Sequence, residues 1–98
     1  MKSIRKSPER VGNYWVYILE CNDGTLYTGY TNNLERRLNQ HNSGKGGAHY
    51  TSWKGFKKLV YKNEHKYFKN ALNEERRIKK MRKEQKIELI KNYDRNKE

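Results

Sequence analysis

The sequence predicts one α+β domain with the element order β-β-α-β-α-α, and three observations lead to this prediction. A run of aromatic and β-branched residues from 14 to 21 is followed by an Asn-Asp-Gly turn and a second run of the same kind. A third hydrophobic run covers residues 56–62. The segments after the second and third runs carry apolar residues at helical spacing. One hydrophobic core is expected, because chains shorter than roughly 100–150 residues rarely divide into separate domains.

The two ends of the chain are expected to lie outside this domain. Residues 1–12 are basic, contain the only proline and show no hydrophobic periodicity. Terminal segments of this kind are usually poorly ordered, so we expect a flexible basic leader. The folded domain is expected over residues 13–93, and residues 94–98 form a charged tail.

The first two strands are expected to form a hairpin. Tyr14–Cys21 is typical of a strand that is buried on both faces, and Thr25–Tyr30 returns as its partner. Asn22-Asp23-Gly24 supplies the turn between them. A cluster of Asn, Asp and Gly between two such runs is one of the strongest short-range signals for a hairpin.

The register of this hairpin decides which side chains share a face, and the sequence is compatible with two registers. A two-residue turn pairs Tyr17 with Tyr30 and places Tyr27 on the opposite face. A three-residue loop with a left-handed glycine pairs Tyr17 with Gly29. In that register Tyr17 and Tyr27 share a face, with their backbones about 7–8 Å apart.

The first helix is expected to begin after a cap at Thr31 or Asn32 and to end near His41 or Asn42, before Ser43-Gly44. A polar loop then leads to the remaining elements. These are a strand at Phe56–Lys62, a helix from about Tyr67 to Met81, and a helix at Lys83–Tyr93 with Ile87, Leu89 and Ile90 pointing inward.

The charge of the chain indicates a polyanionic partner. The net charge is +12, from 23 Lys and Arg against 11 Asp and Glu. Nucleic acid is the expected partner, because dense positive charge binds phosphates with release of counterions. A membrane is not expected, since the sequence has no long apolar run, signal peptide or lipidation motif. A basic protein without such a partner is the alternative.

The cysteines and histidines of the chain limit the disulfides and metal sites that it can form. Cys21 is the only cysteine, so neither an intrachain disulfide nor a cysteine-based zinc cluster is expected. The three histidines are too scattered along the chain to indicate a metal cage. A reducing cytoplasmic location fits this pattern.

The first helix places two polar side chains beside its apolar stripe. Leu34 and Leu38 define the inward stripe, and Arg37 and His41 border it as an i,i+4 pair. Arg36 points in nearly the opposite direction, into solvent. An arginine at such a border can also be structural, with its stem covering apolar surface.

The second helix carries a carboxylate in the middle of its apolar stripe. The apolar side chains of the stripe belong to Phe68, Ala71, Leu72 and Ile78. Glu75 falls at the centre of this stripe, and Glu74 lies roughly 100° away around the helix. A buried carboxylate is costly unless it is paired, protonated or bound to a metal. A cation is therefore expected beside Glu75, and Arg37 and Arg82 are the candidates for a purely structural pair.

These residues stand in an order that resembles the GIY-YIG family, and most closely its small, single-domain bacterial branch. The half-motifs are Val16-Tyr17-Ile18 and Tyr27-Thr28-Gly29, and the two tyrosines are ten positions apart. Thr31–Gly44 is similar to the first helix of the family. Lys58–Tyr61 and Ala71–Lys80 are similar to its later strand and helix.

The resemblance implies a three-stranded antiparallel sheet flanked by about three helices, and hydrolysis of a DNA phosphodiester. It also implies one Mg²⁺ or Mn²⁺ ion bound by Glu75. The residues that match the polar set of the family are Tyr17, Tyr27, Arg37, His41 and Glu75. Tyr30 stands where some relatives carry a polar or basic residue.

In this interpretation the metal and Arg37 stabilise the phosphate, and Tyr17 orients or deprotonates the attacking water with help from Tyr27 or His41. A free tyrosine titrates near 10, so a base role needs positive charge nearby to favour the phenolate. Arg37 and the metal are expected to supply that charge.

Binding of DNA is expected to fall to basic and aromatic residues outside the catalytic set. The loop before the third strand and the start of that strand offer Lys45, His49, Tyr50, Trp53, Lys54, Lys57 and Lys58. A second patch consists of Lys79, Lys80, Arg82, Lys83 and Lys86. Lysine runs of this kind are otherwise simply solvated surface.

The sequence thus predicts a metal-dependent DNA endonuclease that is structure-directed or weakly sequence-specific. Its expected substrate is branched, damaged or single-stranded DNA, and a protein partner is expected to supply further specificity. The alternative is a nucleic-acid-binding module with the same fold and little activity. The sequence gives no indication of the oligomeric state.

Overall fold

Three strands and three helices make up the part of the chain that the computed structural model describes, residues 11–43 and 56–96. In chain order they are β1 (Val11–Cys21), β2 (Leu26–Thr31), α1 (Leu34–Ser43), β3 (Phe56–Tyr67), α2 (Phe68–Lys79) and α3 (Lys83–Asn96). The predicted order β-β-α-β-α-α is confirmed.

The strands form one antiparallel sheet in the order β2-β1-β3. β1 lies in the middle, which explains why its sequence is apolar on both faces. The side chains of Val16, Tyr17, Ile18 and Leu19 are all at most 1% exposed. The predicted α+β fold with a three-stranded antiparallel sheet is therefore confirmed.

The hairpin adopts the three-residue loop. Tyr17 is paired with Gly29, and Gly24 at the end of the loop has a φ of 87°. The Cys21 N–H donates to the Thr25 carbonyl at 2.8 Å, and the Gly24 N–H donates to the Cys21 carbonyl at 2.9 Å. Glycine adopts this left-handed conformation at no steric cost. Asp23 has no positive φ, which a two-residue type I′ turn would require at both Asp23 and Gly24. The three-residue register puts Tyr17 and Tyr27 on one face.

The edges of several elements differ from the predicted ones. β1 begins at Val11, two residues inside the segment predicted as a leader, and residues 1–10 lie outside the described part. β3 does not end at Lys62 but continues to Tyr67, because the whole of β1 is available for pairing and Val11 is opposite Tyr67. The strand was predicted to end at Lys62 because charged residues are frequent from that position onward.

The cap of α1 is Asn33, not the predicted Thr31 or Asn32. The Asn33 side-chain oxygen accepts from the Arg36 N–H at 3.0 Å, which is the pattern of a helix N-cap. The Thr31 hydroxyl accepts from the Asn33 N–H at 3.1 Å. β2 runs through Thr31, so the helix begins one residue later than the spacing of polar residues indicated.

The sheet has two faces with different partners. One face packs against α2 and α3 in a core cluster of Val16, Ile18, Val60, Tyr61, Ala71 and Ile78. This cluster is also contacted by three side chains of α3, those of Leu89, Ile90 and Tyr93. Ile87, which was predicted to point inward, is 39% exposed. Tyr17 points to the other face and contacts His41 of α1.

Candidate active site

Tyr17 and His41 form the buried base of the candidate site. Tyr17 is on the central strand and His41 is in the last turn of α1, and both are 1% exposed. Tyr17 Oη and His41 Nε2 are hydrogen-bonded at 2.9 Å. The pair therefore joins β1 to α1 through one polar contact in a dry environment.

Tyr27 completes a cluster of three rings. Its ring centroid lies 6.3 Å from that of Tyr17 and 5.1 Å from that of His41. Gly29 makes this packing possible, since a Cβ atom there would lie 2.7 Å from Tyr17 Oη. The glycine of the second half-motif is thus required for space. Tyr27 is half-buried and is the more exposed of the two tyrosines.

Arg37 links the helix to both tyrosines. Its guanidinium is half-buried and hydrogen-bonds to Tyr17 and Tyr27, and its Nη1 donates to Gln40 Oε1 at 3.0 Å. Arg36, the preceding residue, is exposed. The prediction that Arg37 and His41 face the sheet while Arg36 faces solvent is therefore confirmed.

Glu75 is buried as predicted, at 6% exposure on α2. Its cationic partner is Lys79, one helical turn further on, whose Nζ lies 2.8 Å from Glu75 Oε2. The predicted partners Arg37 and Arg82 are wrong, because i,i+4 spacing brings Lys79 onto the same face. The carboxylate is close enough to Tyr17 to contribute to raising its pKa.

Burial controls the protonation of the two central groups. Burial raises the pKa of Tyr17 to about 12, although the hydrogen bond and charge of Arg37 act in the opposite direction. Burial and the charge of Arg37 lower the pKa of His41 to about 4. Near neutral pH Tyr17 is therefore a phenol and His41 a neutral imidazole. Arg37 alone does not offset the effect of burial on Tyr17, and the contribution expected from the metal stays a prediction.

A second buried carboxylate, Glu74, was missed by the sequence. It is 9% exposed and accepts from Tyr61 Oη at 2.6 Å. His65 Nε2 lies at 2.6 Å and Asn63 Nδ2 at 3.1 Å from its other oxygen. Burial, followed by the Glu74 carboxylate, raises the pKa of Tyr61. A signal was present, since residues 61, 63 and 65 alternate along a strand, but it required β3 to extend past Lys62.

The donor set around Glu75 fits a divalent cation with a single protein carboxylate. Within residues 11–43 and 56–96, no group of three or more His, Cys, Asp or Glu side chains is arranged to hold a metal. Mg²⁺ often binds to only one or two carboxylates, together with water and substrate phosphates. Glu75 meets this requirement, because its carboxylate is buried and already forms an ion pair with the Lys79 ammonium.

Most of the predicted DNA-binding loop lies outside the described residues, namely Lys45, His49, Tyr50, Trp53 and Lys54. Lys57 and Lys58 are exposed on β3. In the second patch Lys80, Arg82 and Lys83 are exposed and Lys86 is half-buried, while Lys79 pairs with Glu75. Lys58 of the first patch and Lys83 of the second line the same groove, so exposed cations of the two patches meet there.

Taken together, the sheet with its cluster of tyrosine, arginine, histidine and glutamate defines a nuclease-type catalytic domain. The family model of the GIY-YIG catalytic domain matches residues 13–88, and the chain belongs to this family. Membership supports an endonuclease-type function and a nucleic-acid substrate in general.

Within the family the chain is similar to UPF0213 proteins. It is 51% identical over 77 residues to the one from Syntrophus aciditrophicus (strain SB), covering 79% of this chain and 88% of that protein. It is 49% identical over 76 residues to CPE1444 from Clostridium perfringens (strain 13 / Type A), covering 78% of this chain and 81% of that protein. The solution NMR structure of BH0048 from Bacillus halodurans matches with 41% identity and a TM-score of 0.54, over 81% of this chain and 83% of that one.

No helix in the described part of the chain combines the length and the apolar character that crossing a membrane requires.

Proposed function

We propose that the protein is a metal-dependent DNA endonuclease that hydrolyses phosphodiester bonds, directed by DNA structure or by a weak sequence preference. One observation carries the proposal: the Glu75 carboxylate is buried, and its charge acts on Tyr17, which also interacts with Arg37. These groups come from three different elements, and the fold brings them together at a buried charge.

Glu75 would hold one Mg²⁺ or Mn²⁺, which when bound stabilises charge on the phosphoryl group and on the departing oxygen. Arg37 would donate to the non-bridging oxygens of the same phosphate, where its planar fork matches the geometry of the anion. Its hydrogen bonds to the two tyrosines hold the guanidinium before the substrate arrives, which reduces the cost of ordering it.

The two tyrosines would divide the remaining work. We assign the orientation of the attacking water to Tyr27, because it is half-buried whereas Tyr17 is 1% exposed. Tyr17 and His41 would stay neutral and hydrogen-bonded to each other, and this pair would position Arg37. The water oxygen forms a bond to phosphorus and gives up a proton to bulk solvent, while the bond to the 3′ oxygen breaks and that oxygen is protonated by solvent.

Recognition of DNA would be mainly sequence-independent. The net charge of +12 favours contacts to phosphates that weaken steeply as salt rises. Branched, damaged or single-stranded DNA is the proposed substrate, and a protein partner would add specificity that a domain of this size does not supply by itself.

The alternative function is a nucleic-acid-binding module with little activity. Lys79 favours it, because an ammonium 2.8 Å from the carboxylate already neutralises the position where a metal would bind. The two functions differ in one outcome, which is cleavage.

Cleavage is tested by nicking of supercoiled plasmid and of branched and single-stranded DNA with Mg²⁺ or Mn²⁺, and with EDTA. We expect Glu75→Gln to reduce the rate by about 100-fold or more, the scale for loss of a group that stabilises the transition state. Glu74→Gln is the matched control, since it also removes the charge of a buried carboxylate on α2, and it should cleave at nearly the wild-type rate. Amide NMR spectra verify that both variants are folded.

Equal cleavage by Glu75→Gln and the wild type would refute the proposed role of Glu75. Salt-sensitive DNA binding without metal-dependent cleavage of any substrate would favour the binding module.

A further inference from the structure

An open groove adjoins the candidate active site and is not used by the chemistry described so far. It has a volume of about 520 Å³, within the range of about 300–1,000 Å³ that is usual for sites of small ligands. Arg37 lies on its wall and also belongs to the catalytic cluster. A molecule in the groove would therefore sit next to the phosphate that Arg37 is proposed to bind.

One side of the groove is aromatic. Tyr30 is 39% exposed, and its ring packs edge-to-face on Phe68 with the centroids 5.6 Å apart. Phe68 packs in the same way on Tyr14, at 5.5 Å. Phe68, the first residue of α2, thus supports a tyrosine on each side, so the Tyr30 ring is held in place while much of it stays accessible.

The other side of the groove is basic and polar. Arg36 and Arg37 line it together with the amide of Gln40. Asn33 caps α1 through the Arg36 N–H, which fixes the backbone from which the Arg36 side chain extends into this region. Arg36 is exposed and is not part of the catalytic cluster. An accessible ring opposite a guanidinium offers contacts to both an apolar plane and an anion.

We propose that this groove is a binding subsite for one unpaired nucleotide of the DNA strand, next to the phosphate that is cleaved. Its base would stack on Tyr30 and its phosphate would contact Arg36. A base within a duplex is covered by its neighbours and cannot reach the ring, so the subsite would select strands with an unstacked nucleotide. This inference rests on the proposed function for the placement beside the cleaved phosphate, and it names the feature that directs the enzyme to its substrate.

The test measures DNA binding in EDTA, where no metal-dependent cleavage takes place, by fluorescence anisotropy. The probes are a fluorescein-labelled single-stranded oligonucleotide of mixed sequence and the duplex of the same sequence. We expect Tyr30→Ala to weaken binding of the single strand roughly tenfold, the effect of losing one stacked base, and to change duplex binding less than twofold. Tyr30→Phe retains the ring and should bind the single strand like the wild type.

Arg36 is tested beside Arg76, an exposed arginine on α2 that does not line the groove. Arg36→Ala should weaken binding of the single strand and reduce its salt dependence by about one phosphate contact, whereas Arg76→Ala should change neither. Equal weakening by the two alanine variants would mean that only overall charge matters and would overturn the assignment of Arg36.

Unchanged single-strand binding by Tyr30→Ala, or equal losses for single strand and duplex, would overturn the subsite. The result is independent of cleavage. A wild-type protein that cuts no DNA but shows the Tyr30 effect keeps the subsite and loses the proposed function. A protein that nicks DNA but shows no Tyr30 effect keeps the function and loses the subsite.

Discussion

Glu74 and Glu75 are neighbours in the sequence and both are buried, yet their surroundings differ in kind. Glu74 accepts from donors on β3, with Tyr61, Asn63 and His65 all in contact with it, and the exposed Arg77 lies 3.6 Å from its carboxylate. Glu75 is paired, among the described residues, with Lys79, whose side chain is 55% exposed. The first carboxylate has fixed partners, whereas the second has a partner on a flexible stem that can leave.

This difference shows that burial alone does not reveal the role of a carboxylate. A carboxylate whose oxygens are satisfied by several hydrogen-bond donors contributes to the stability of the fold. A carboxylate that is balanced by one displaceable ammonium is a position where another cation can bind. The second description fits a catalytic centre, and it applies to the residue that the family motif also indicates.

Unfolding measurements test this contrast most directly. We expect Glu74→Ala to lower the free energy of unfolding by about 2–3 kcal/mol, because it leaves buried donors without an acceptor. Glu75→Ala should change it by less than about 1 kcal/mol, since its partner is a largely exposed lysine. Urea titrations followed by circular dichroism give both values, and a larger loss for Glu75→Ala would contradict the contrast.

Metal binding tests whether the ammonium beside Glu75 is displaceable. Removal of the competing charge by Lys79→Gln should tighten the binding of Mn²⁺ by about tenfold, the equivalent of about 1.4 kcal/mol. Lys80→Gln is the control, because it removes an exposed lysine that does not contact Glu75. Paramagnetic broadening of amide signals by Mn²⁺ reports the affinity without DNA or turnover. An affinity that is equal in the two variants would show that Lys79 does not compete with the metal.

A third buried polar group has no partner at all within the described residues. The Thr28 hydroxyl is buried without a hydrogen bond, and it stands in the second half-motif where the family name has isoleucine. Thr28→Val should therefore raise the free energy of unfolding by about 1 kcal/mol. Thr25→Val serves as a control with the opposite sign, because that hydroxyl donates to Asp23 at 2.7 Å. Destabilisation by Thr28→Val would show that the hydroxyl is satisfied in solution.

Much of the fold follows from the sequence, because long apolar runs and helical spacing are local properties. The register of the hairpin was left open, since two loops of different length were both compatible with Asn22-Asp23-Gly24. A left-handed Gly24 fits either loop, and the conformation of Asp23, which has no positive φ, decides between them. The predicted end of β3 was wrong, because many of its last residues are charged and form a strand only through pairing with β1. Such pairing is a property of the tertiary structure.

The candidate site shows the same division. Glu75 and Arg37 were predicted by their position on helical faces, and the structure confirms where those faces point. Lys79 was available from i,i+4 spacing but was passed over in favour of arginine partners. The network of Glu74 was missed because two of its donors, Asn63 and His65, lie beyond the predicted end of β3 at Lys62.

Gly29 also determines how the centre tolerates change. The atom that it lacks would fall 2.7 Å from the Tyr17 oxygen, so even the smallest added side chain would push that phenol away from His41. Alanine at this position would alter no charge and delete no reactive group. It offers a way to disturb the centre sterically, and thereby to test the proposed cleavage of DNA separately from the proposed binding of DNA.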